Sequence, residues 1–508
     1  MRIATAAELR EADRQALQDL GLPGACLMQS AGEALARACG DAPRIAFLCG
    51  KGNNGGDGFV AARHRKLAGN DVTVFLAAPA SQLRGDAAAH FAPLAALGIP
   101  LLPLENAHLR PFDLLVDCLL GTGARGAPTG VLAQAITAAN ASGVPILACD
   151  LPSGVDADTG QVPGEAIRAN QTLTLAALKP GLLLYPGAEH AGKVTVAPIG
   201  LPFLKESRQE LTTADWVRRV LPKRTQGRDA NKGAFGTLVV LAGSRGMAGA
   251  AVLTATAALR AGAGLVYLAL PTSLVSVVAV MAPELVLKPL PETPEGTHGG
   301  EGAFLELLFL LERADAIAMG PGMTAGLPVQ ELIAELVTQA RLPLVIDADG
   351  LNALAHRADL LRARRGCSVV LTPHPGEMGR LLGRQTADIQ ANRPDAAQQC
   401  AKTFGAVALL KGARTLIATP EGTLYYNREG SVALATAGSG DVLTGVIAAL
   451  LASGLSAPDA ARAGAYWHAL AGECAEKEIG RVGVLATEIR ERLPVARRLL
   501  DEGGDLEI

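Results

Sequence analysis

Short apolar runs alternate with Ala-rich amphipathic segments along most of this chain. In the first half the apolar runs are RIAFLC (44–49), DVTVFLA (71–77), DLLVDCLLG (113–121), PILACD (145–150), QTLTLAAL (171–178) and KVTVAPIG (193–200). Their hydrophobic positions are nearly continuous, which is typical of strands covered by helices on both faces. The pattern therefore predicts a doubly wound, mainly parallel α/β sheet.

The alternation lapses between residues 201 and 232 and then resumes. Because that stretch is polar and has no clear strand pattern, we place the domain boundary there, giving domains 1–214 and 215–508. The apolar runs beyond it are GTLVVLAG (236–243), GLVYLAL (264–270), ADAIAMGPG (314–322), LPLVIDADG (342–350), SVVLTPHPGE (368–377), AVALLKG (406–412), TLIATP (415–420) and TLYYN (423–427). We expect a second α/β domain whose last third is helical.

Composition narrows the class of protein. With 49% hydrophobic and 19% charged residues the chain of 508 residues is not disordered, and a net charge of −3 argues against nucleic acid or an anionic membrane as partner. The eight cysteines include no C-x-x-C pair, and no basic segment followed by an apolar one opens the chain. We therefore expect a cytoplasmic protein without a signal peptide or membrane span. We also expect a homo-oligomer, which is not an inference from these features.

The loop GKGNNGGDG (50–58) directly follows the first apolar run. Gly50, Gly52 and Gly55 spell G-x-G-x-x-G, the dinucleotide fingerprint. That fingerprint needs an acid after the second strand, where this chain has Ala77, Ala78 and Pro79. The loop is therefore not the ordinary fingerprint.

Three loops of the first half follow strands, at 50–58, 121–128 and 151–160. Since ligands bind at the carboxyl ends of parallel strands, we expect these loops to meet. Their glycine amides suit phosphate, and the oxygens of Asn54, Asp117 and Ser153 suit a hard cation. A nucleotide-like substrate beside an ion would use both; alternatively, Asn-Asn-Gly-Gly is only a tight turn.

TAGSGDVLTG (436–445) is the strongest constellation of the second half. The amides of 438–440 would stand at a helix N-terminus, which attracts phosphate, and Asp441 would then be placed to act as a general base. The alternative is a plain helix cap. Asp347 and Asp349, in VIDADG, are candidates for indirect contact with magnesium and equally for turn capping.

The first-half motifs GNNGGDG (52–58), VDCLLGTG (116–123) and DLPSGVD (150–156) resemble the epimerase domain of the NAD(P)H-hydrate repair enzymes, over about residues 1–200. In that family the domain interconverts the R and S hydrates at C6 of the nicotinamide. The resemblance implies a potassium ion on Asn54, Asp117 and Ser153. Asp150 is the best-placed acid or base; Lys179 is a second candidate, or else a solvated strand end. The residues implied to bind the hydrate are Asn53, Asn54, Gly55, Gly56, Asp57, Gly121, Thr122, Gly123, Ala124, Arg125, Gly126, Ala127 and Asp150.

The second-half motifs resemble the ribokinase-like dehydratase domain of the same enzymes, over about residues 225–495. The segments are GSRGMAGAA (243–251), GPG (320–322), DADGLN (347–352), TPHPGE (372–377), LLKG (409–412) and GSGD (438–441), with Ser439 where Thr is usual. The resemblance implies that the S hydrate is bound by Ala250, Gly322, His374 and Asp441. It implies that the adenine nucleotide is bound by Lys411, Gly412, Ala413, Arg414, Thr415 and Gly440.

These expectations combine into one reaction scheme. Asp441 takes the proton from the C6 hydroxyl, the terminal phosphoryl group of ADP is transferred to that oxygen with help from magnesium, and elimination of phosphate restores NADH or NADPH and leaves AMP. ADP is favoured over ATP because the fusion with the epimerase first looks bacterial. One rival is a ribokinase-type small-molecule kinase, although no strand-rich lid follows residue 225. In the second rival interpretation, the first half is a non-catalytic binding module. Such a module would not need Asn54, Asp117, Asp150 and Ser153 together.

Overall fold

The computed structural model describes residues 1–105, 107–203, 207–223, 231–299, 302–355, 357–364 and 368–503. The chain divides into two compact units between Ser207 and Arg208, with Met1 joining the second. This division precedes the predicted boundary at 214/215 because Gln209–Leu211 forms a strand of the second sheet. In the described part of the chain, no helix is both long and apolar enough to cross a lipid bilayer.

The first unit is built on a seven-stranded parallel sheet. The sheet order is β3-β2-β1-β4-β5-β6-β7, so the direction of winding reverses at β1. The described strands are β1 Arg44–Cys49, β2 Asp71–Leu76, β3 Leu101–Pro103, β4 Leu114–Cys118, β5 Ile146–Cys149, β6 Gln171–Leu175 and β7 Lys193–Ala197. The described α-helices are α1 Ala6–Gln18, α2 Gly24–Ala38, α3 Asn53–Leu67, α4 Gly85–Phe91, α5 Gly130–Ala141 and α6 Gly187–Ala191.

The second unit is built on a ten-stranded sheet ordered β11-β10-β9-β12-β13-β14-β15-β16-β17-β8. It is parallel except that β16 runs antiparallel to both neighbours. The described strands are β8 Gln209–Leu211, β9 Thr237–Leu241, β10 Leu265–Pro271, β11 Val286–Leu290, β12 Ala316–Met319, β13 Leu344–Ile346, β14 Val369–Leu371, β15 Val407–Leu410, β16 Arg414–Ala418 and β17 Leu424–Glu429. The described α-helices are α7 Ala214–Val220, α8 Ala248–Arg260, α9 Val275–Met281, α10 Ala303–Leu311, α11 Leu327–Gln339, α12 Ala348–Leu354, α13 Ala358–Arg362, α14 Pro375–Leu382, α15 Thr386–Ala391, α16 Arg393–Phe404, α17 Ser439–Ala452, α18 Ala457–Ile479 and α19 Ala486–Glu502.

Both α/β domains and their parallel sheets are as the sequence predicts, and every predicted apolar run contains a strand. The sequence pattern missed β3, β8 and β11. The expectation that residues 201–232 hold no strand is wrong, because β8 pairs with β17 through backbone bonds that need no apolar run. Winding reverses at β1 and β4 in one sheet and at β9 and β12 in the other, so the loops after these strands are the expected ligand sites.

Three buried thiols lie under the first loop of the N-terminal unit. Cys49 and Cys118 end neighbouring strands in register, Cys149 ends the next strand, and all three are fully buried. Gly58 in α3 rests on this layer, since a Cβ there would lie 2.8 Å from Cys49 Sγ and 2.9 Å from Cys118 Sγ. The absent side chain thus lets the start of α3 sit directly above the strand ends.

Replacing Gly58 by Ala is expected to lower the free energy of unfolding of the first unit by about 1–3 kcal/mol, because the added methyl overpacks the thiols. Calorimetric unfolding of the full chain measures it. Gly52→Ala is the matched control, since a Cβ on Gly52 meets no atom within 4 Å. Equal losses in the two variants would contradict the steric argument.

Candidate active sites

Hydrogen bonds join the three strand-end loops of the first unit. Asn54 Nδ2 donates to the Leu120 carbonyl at 2.9 Å, and the Leu120 amide donates to Ser153 Oγ at 2.9 Å. Ser153 Oγ donates in turn to Asp117 Oδ1 at 2.6 Å. The structure therefore brings together Asn54, Asp117 and Ser153, the three side chains that the resemblance assigns to potassium.

This cluster has the character of a site for a hard cation. Asn54 Oδ1 is buried and accepts no hydrogen bond from the described residues, so an oxygen lone pair is left there without a partner. Burial raises the pKa of Asp117 to about 6, and a cation beside it would hold the carboxylate ionised. Among the residues that the structure describes, no three His, Cys, Asp or Glu side chains form a metal site. Oxygen donors of this kind fit potassium better than a transition metal.

Asp150 and Lys179 form a buried ion pair at the end of β5. Asp150 has a left-handed backbone, φ 67°, and its Oδ1 accepts from the Leu175 amide at 3.1 Å and from Lys179 Nζ. Lys179 is 1% exposed, and its ammonium also donates to Thr174 Oγ1 at 2.9 Å and the Leu175 carbonyl at 2.7 Å. It is therefore not a solvated strand end. All three donors of the ammonium are used, so Lys179 holds Asp150 in place and leaves Asp150 Oδ2 without a partner among the described residues.

Two further carboxyl groups surround this pair. Burial raises the pKa of Asp57 well above its usual range, and the charges of Asp150 and Asp13 raise it further. Burial and Asp150 also raise the pKa of Asp13, on α1. The site thus combines one carboxyl group hydrogen-bonded to an ammonium with one carboxyl group whose pKa is raised by burial. Sequence reasoning missed Asp13, because nothing in the periodicity of α1 distinguishes it from other polar positions.

The remaining predicted hydrate contacts lie at the start of α3 and in the loop after β4. Gly55 packs against its own loop, since a Cβ there would lie 2.0 Å from the Gly50 carbonyl oxygen, and Gly56 packs on Met28. Gly121 adjoins Asn54. Arg125 is about half exposed and pairs with Asp158 at 2.8 Å. The rest of the segment, Thr122, Gly123, Ala124, Gly126 and Ala127, is half-buried or exposed, and Asn53 is exposed at the start of α3.

In the second unit, Asp441 lies in the first turn of α17. The helix begins after Gly438, whose φ of 86° is left-handed. Among the described residues, no acceptor pairs with the amides of Gly440 and Asp441, which leaves them available to an anion. Burial, and next the charge of Asp347, raises the pKa of Asp441 to about 7. A carboxyl group with that pKa beside free amides suits a general base acting on a substrate held there.

Asp347 and Lys411 form an ion pair beside Asp441. Lys411 Nζ donates to Asp347 Oδ1 and Thr444 Oγ1 donates to Asp347 Oδ2, both at 2.8 Å. A Cβ on Gly440 would lie 3.4 Å from Lys411 Nζ. The structure therefore brings together Lys411, Gly440 and Asp441. Asp349 instead caps a turn, accepting from the Thr324 amide at 2.8 Å.

Ala250 and Gly322 lie together at the reversal point of the second sheet. A Cβ on Gly322 would be 3.0 Å from Ala250 Cβ, and the φ of Gly322 is +65°. These two predicted hydrate contacts follow β9 and β12, the strands at which winding reverses.

His374 has a structural task that the sequence did not reveal. Its Nδ1 accepts from the amides of Gly376 at 3.0 Å and Glu377 at 3.3 Å, so the ring caps α14. Nδ1 is therefore the acceptor, and Nε2 carries the proton of the neutral ring. The His374 side chain is half exposed and its Nε2 lies 3.4 Å from Glu377 Oε1, so a ligand would compete with that carboxylate for the Nε2–H. Glu377 completes the capping box and lies 3.8 Å from Lys411 Nζ.

Sequence reasoning missed three buried side chains of this site. Thr444 lies one turn beyond Asp441, and this spacing could have identified it. Glu377 follows His374 at capping-box spacing, a second signal that could have been read. His468 lies 3.3 Å from Ser439 Oγ, and burial lowers its pKa to about 4, which keeps it neutral; no sequence signal marks it.

The predicted nucleotide loop joins β15 to β16. Gly412 and Ala413 are exposed, and Thr415 Oγ1 donates to the Gly412 carbonyl at 3.3 Å. Arg414 differs from its neighbours, because its guanidinium is buried and donates to the Asn427 carbonyl at 3.1 Å. Only the backbone of Arg414 therefore faces the site.

Comparisons with known proteins match both halves of the chain. Residues 238–495 match a family described as NAD(P)H-hydrate dehydratase, and residues 24–181 match one described as YjeF-related protein N-terminus. A Moorella thermoacetica protein named bifunctional NAD(P)H-hydrate repair enzyme Nnr is 42% identical, over 99% of this chain and 98% of its own. The Escherichia coli protein of that name is 36% identical, over 95% and 91%. A crystal structure of ADP/ATP-dependent NAD(P)H-hydrate dehydratase from Bacillus subtilis, co-crystallised with ATP and Mg²⁺, is 30% identical with a TM-score of 0.49, over 57% of this chain and 98% of that one.

Proposed function

The chain belongs to the family of bifunctional NAD(P)H-hydrate repair enzymes, with an epimerase and a dehydratase domain, and from that premise we propose which residues carry each activity. The proposal is supported by the observation that, in each unit, predicted site residues follow the two strands at which the winding of its own sheet reverses. The fixed carboxylate of Asp150 serves epimerisation, and Asp441 beside free amides serves dehydration. The substrates are the hydrates of NADH and NADPH.

In the first unit we assign complementary roles to two carboxyl groups. Asp150, whose Oδ1 accepts from the Lys179 ammonium, is the base that activates water at C6, and Asp57, whose pKa is raised by burial, is the acid that protonates the departing C6 hydroxyl. Departure of that hydroxyl and addition of water to the opposite face invert C6. The nicotinamide ring nitrogen supplies the electron pair for departure and recovers it afterwards. A carboxyl group paired with an ammonium and a second with a raised pKa suit the base and the acid of this exchange.

Potassium would be held by Asn54, Asp117 and Ser153, where its charge would stabilise the loops that contact the hydrate. The partnerless Asn54 Oδ1 supports this assignment.

We expect potassium chloride to raise the melting temperature of the first unit, because an ion that binds only the folded state stabilises it. Calorimetry of the full chain at constant ionic strength measures this, with choline chloride as the control salt. Asn54→Leu should abolish this increase in melting temperature. A wild-type protein that melts identically in both salts would contradict the site.

In the second unit, Asp441 takes the proton from the C6 hydroxyl of the S hydrate. The freed oxygen receives the terminal phosphoryl group of ADP, whose departing oxygen stays with AMP, and the amides of Gly440 and Asp441 offset the charge on that group. Loss of phosphate from C6, driven by the electron pair of the ring nitrogen, and loss of a proton from C5 to solvent then restore the C5=C6 double bond of NADH or NADPH. Lys411 and the backbone of the loop to Thr415 hold the nucleotide.

Magnesium, when bound, neutralises phosphate charge. Both oxygens of Asp347 accept from protein donors, so Asp347 would contact the ion through water. Asp349 is likewise engaged in its turn. The pair therefore fits an indirect magnesium site.

The rate of dehydration should depend on pH through Asp441. We expect kcat/KM for the S hydrate to rise as pH increases through about 7, since the base accepts a proton only when ionised. Steady-state kinetics between about pH 5.5 and 9 test this. Epimerisation on the same chain is the internal control, and a dehydration profile that falls as pH rises through 7 would contradict the assignment.

Compartment and assembly belong to the proposal as well. We place the enzyme in the reducing cytoplasm, which the seven described cysteines support, since none of them forms a disulfide. We also expect a homo-oligomer. Exposed Leu305, Leu308 and Phe309 on α10 support this, and sedimentation measures it.

A single incubation tests the function. The full chain is mixed with R and S NADH hydrate, potassium, magnesium and ADP, and the absorbance of the reduced nicotinamide is followed. Complete recovery supports both activities, whereas recovery of the S epimer alone would leave only the dehydratase. A stable phosphorylated product without recovery would overturn the proposal in favour of a kinase.

A further inference from the structure

Arg393 lies under the loop between β15 and β16 and is the first residue of α16. Its Nη2 donates to the carbonyl oxygens of Leu410 at 3.3 Å, Lys411 at 3.3 Å and Arg414 at 3.2 Å. Gly412 packs on the guanidinium, since a Cβ there would lie 2.6 Å from Nη2. One side chain therefore fixes carbonyl groups on both sides of the loop.

The other carbonyls of the loop are also engaged. The Gly412 carbonyl accepts from Thr415 Oγ1 at 3.3 Å, and the Ala413 carbonyl accepts from the Gly430 amide at 3.2 Å. The amides of Gly412 and Ala413, in contrast, meet no acceptor in the described ranges of the chain. The loop thus turns its acceptors towards the protein and presents donors to solvent, which is the arrangement that binds phosphate.

The positive charge of Arg393 is not balanced by the protein. No carboxylate of the described residues pairs with its guanidinium, and burial lowers its pKa to about 10. It also stands at the N-terminus of a helix, where the macrodipole disfavours a cation. Burial and the helix dipole both disfavour this guanidinium cation. We infer that a bound anion supplies the negative charge that balances it.

We propose that Arg393 is the positioning residue of the nucleotide loop. It holds the carbonyls inward so that the amides of Gly412 and Ala413 face the nucleotide phosphates, whose charge balances the guanidinium. The inference rests on the proposed nucleotide site at Lys411–Thr415. Arg393 acts through the loop rather than by contact with the reacting atoms.

Titration calorimetry of ADP, AMP and adenosine against the full chain tests this proposal. Arg393→Met should weaken the binding of ADP by about tenfold or more, that of AMP by less and that of adenosine by under about threefold. The reason is that the lost interaction grows with phosphate charge. The KM for ADP should rise while the KM for the hydrate and the rate of epimer exchange stay unchanged. Arg393→Lys, which keeps the charge but not the planar fork, should retain part of the ADP affinity.

Arg384→Met is the matched control, because Arg384 lies on the same part of the fold but pairs with Asp395 and Gln399. It should bind ADP as the wild type does. Equal weakening of ADP and adenosine by Arg393→Met, unchanged ADP affinity, or an equal loss in the control would overturn the inference. A wild-type chain that binds no ADP would instead overturn the nucleotide site itself.

Discussion

Asp441→Asn is expected to reduce ADP-dependent recovery of NADH from its S hydrate by about 10²–10⁴ in kcat. The asparagine fills the same space but cannot accept the proton of the C6 hydroxyl. The KM for ADP should change little, because Lys411 and the free loop amides remain. Absorbance of the reduced nicotinamide under saturating hydrate and ADP measures the loss.

Two controls separate this chemical loss from misfolding. Epimer exchange on the same chain should continue at the wild-type rate, since Asp150 and Lys179 lie in the other unit. The pKa of Asp441 is raised from 3.8 to about 7 in the folded chain, so this carboxyl group destabilises the fold by an amount that grows as pH rises from about 4 to about 7 and stays constant above that. The variant should therefore melt no lower than the wild type at pH 8, and loss of both activities would contradict separate sites.

Lys179→Met is expected to reduce epimer exchange by about 10²–10⁴ while dehydration of pure S hydrate persists. Without the ammonium, Asp150 loses the donor that fixes its orientation. The fall should appear in kcat more than in KM. Nuclear magnetic resonance of the two epimers measures exchange.

A double-mutant comparison distinguishes positioning from packing. Lys179→Met and Asp150→Asn should each destabilise the first unit by about 3–5 kcal/mol, because each leaves one buried charge unpaired. The double variant should recover stability without recovering activity. A stable double variant with wild-type exchange would show that neither residue serves catalysis.

The two parallel sheets could be predicted because their strands are continuous apolar runs between helical segments. β8 and β3 could not, because each has three residues and forms by backbone pairing at a sheet edge. Because β8 was not predicted, the predicted domain boundary lies after the division that the structure shows. Edge strands of three residues leave almost no trace in hydrophobic periodicity.

The candidate sites divide in a similar way. Motif residues such as Asn54, Asp150 and Asp441 stand in loops after strands, where sequence spacing directly indicates placement. Asp13 reaches its site from a helix distant in sequence and Arg393 from the helix that precedes β15, and only tertiary packing brings them there. The raised pKa of Asp57 likewise comes from burial, which the sequence does not display.

β8 also determines where the chain could be divided into two independent proteins. A dehydratase beginning at residue 215 would lack Glu210 and Thr212, the partners of buried Arg462, and would leave β17 with a bare edge. Bare strand edges recruit other chains, so this fragment would aggregate. One beginning at Arg208 keeps the edge covered and remains monodisperse enough for separate study.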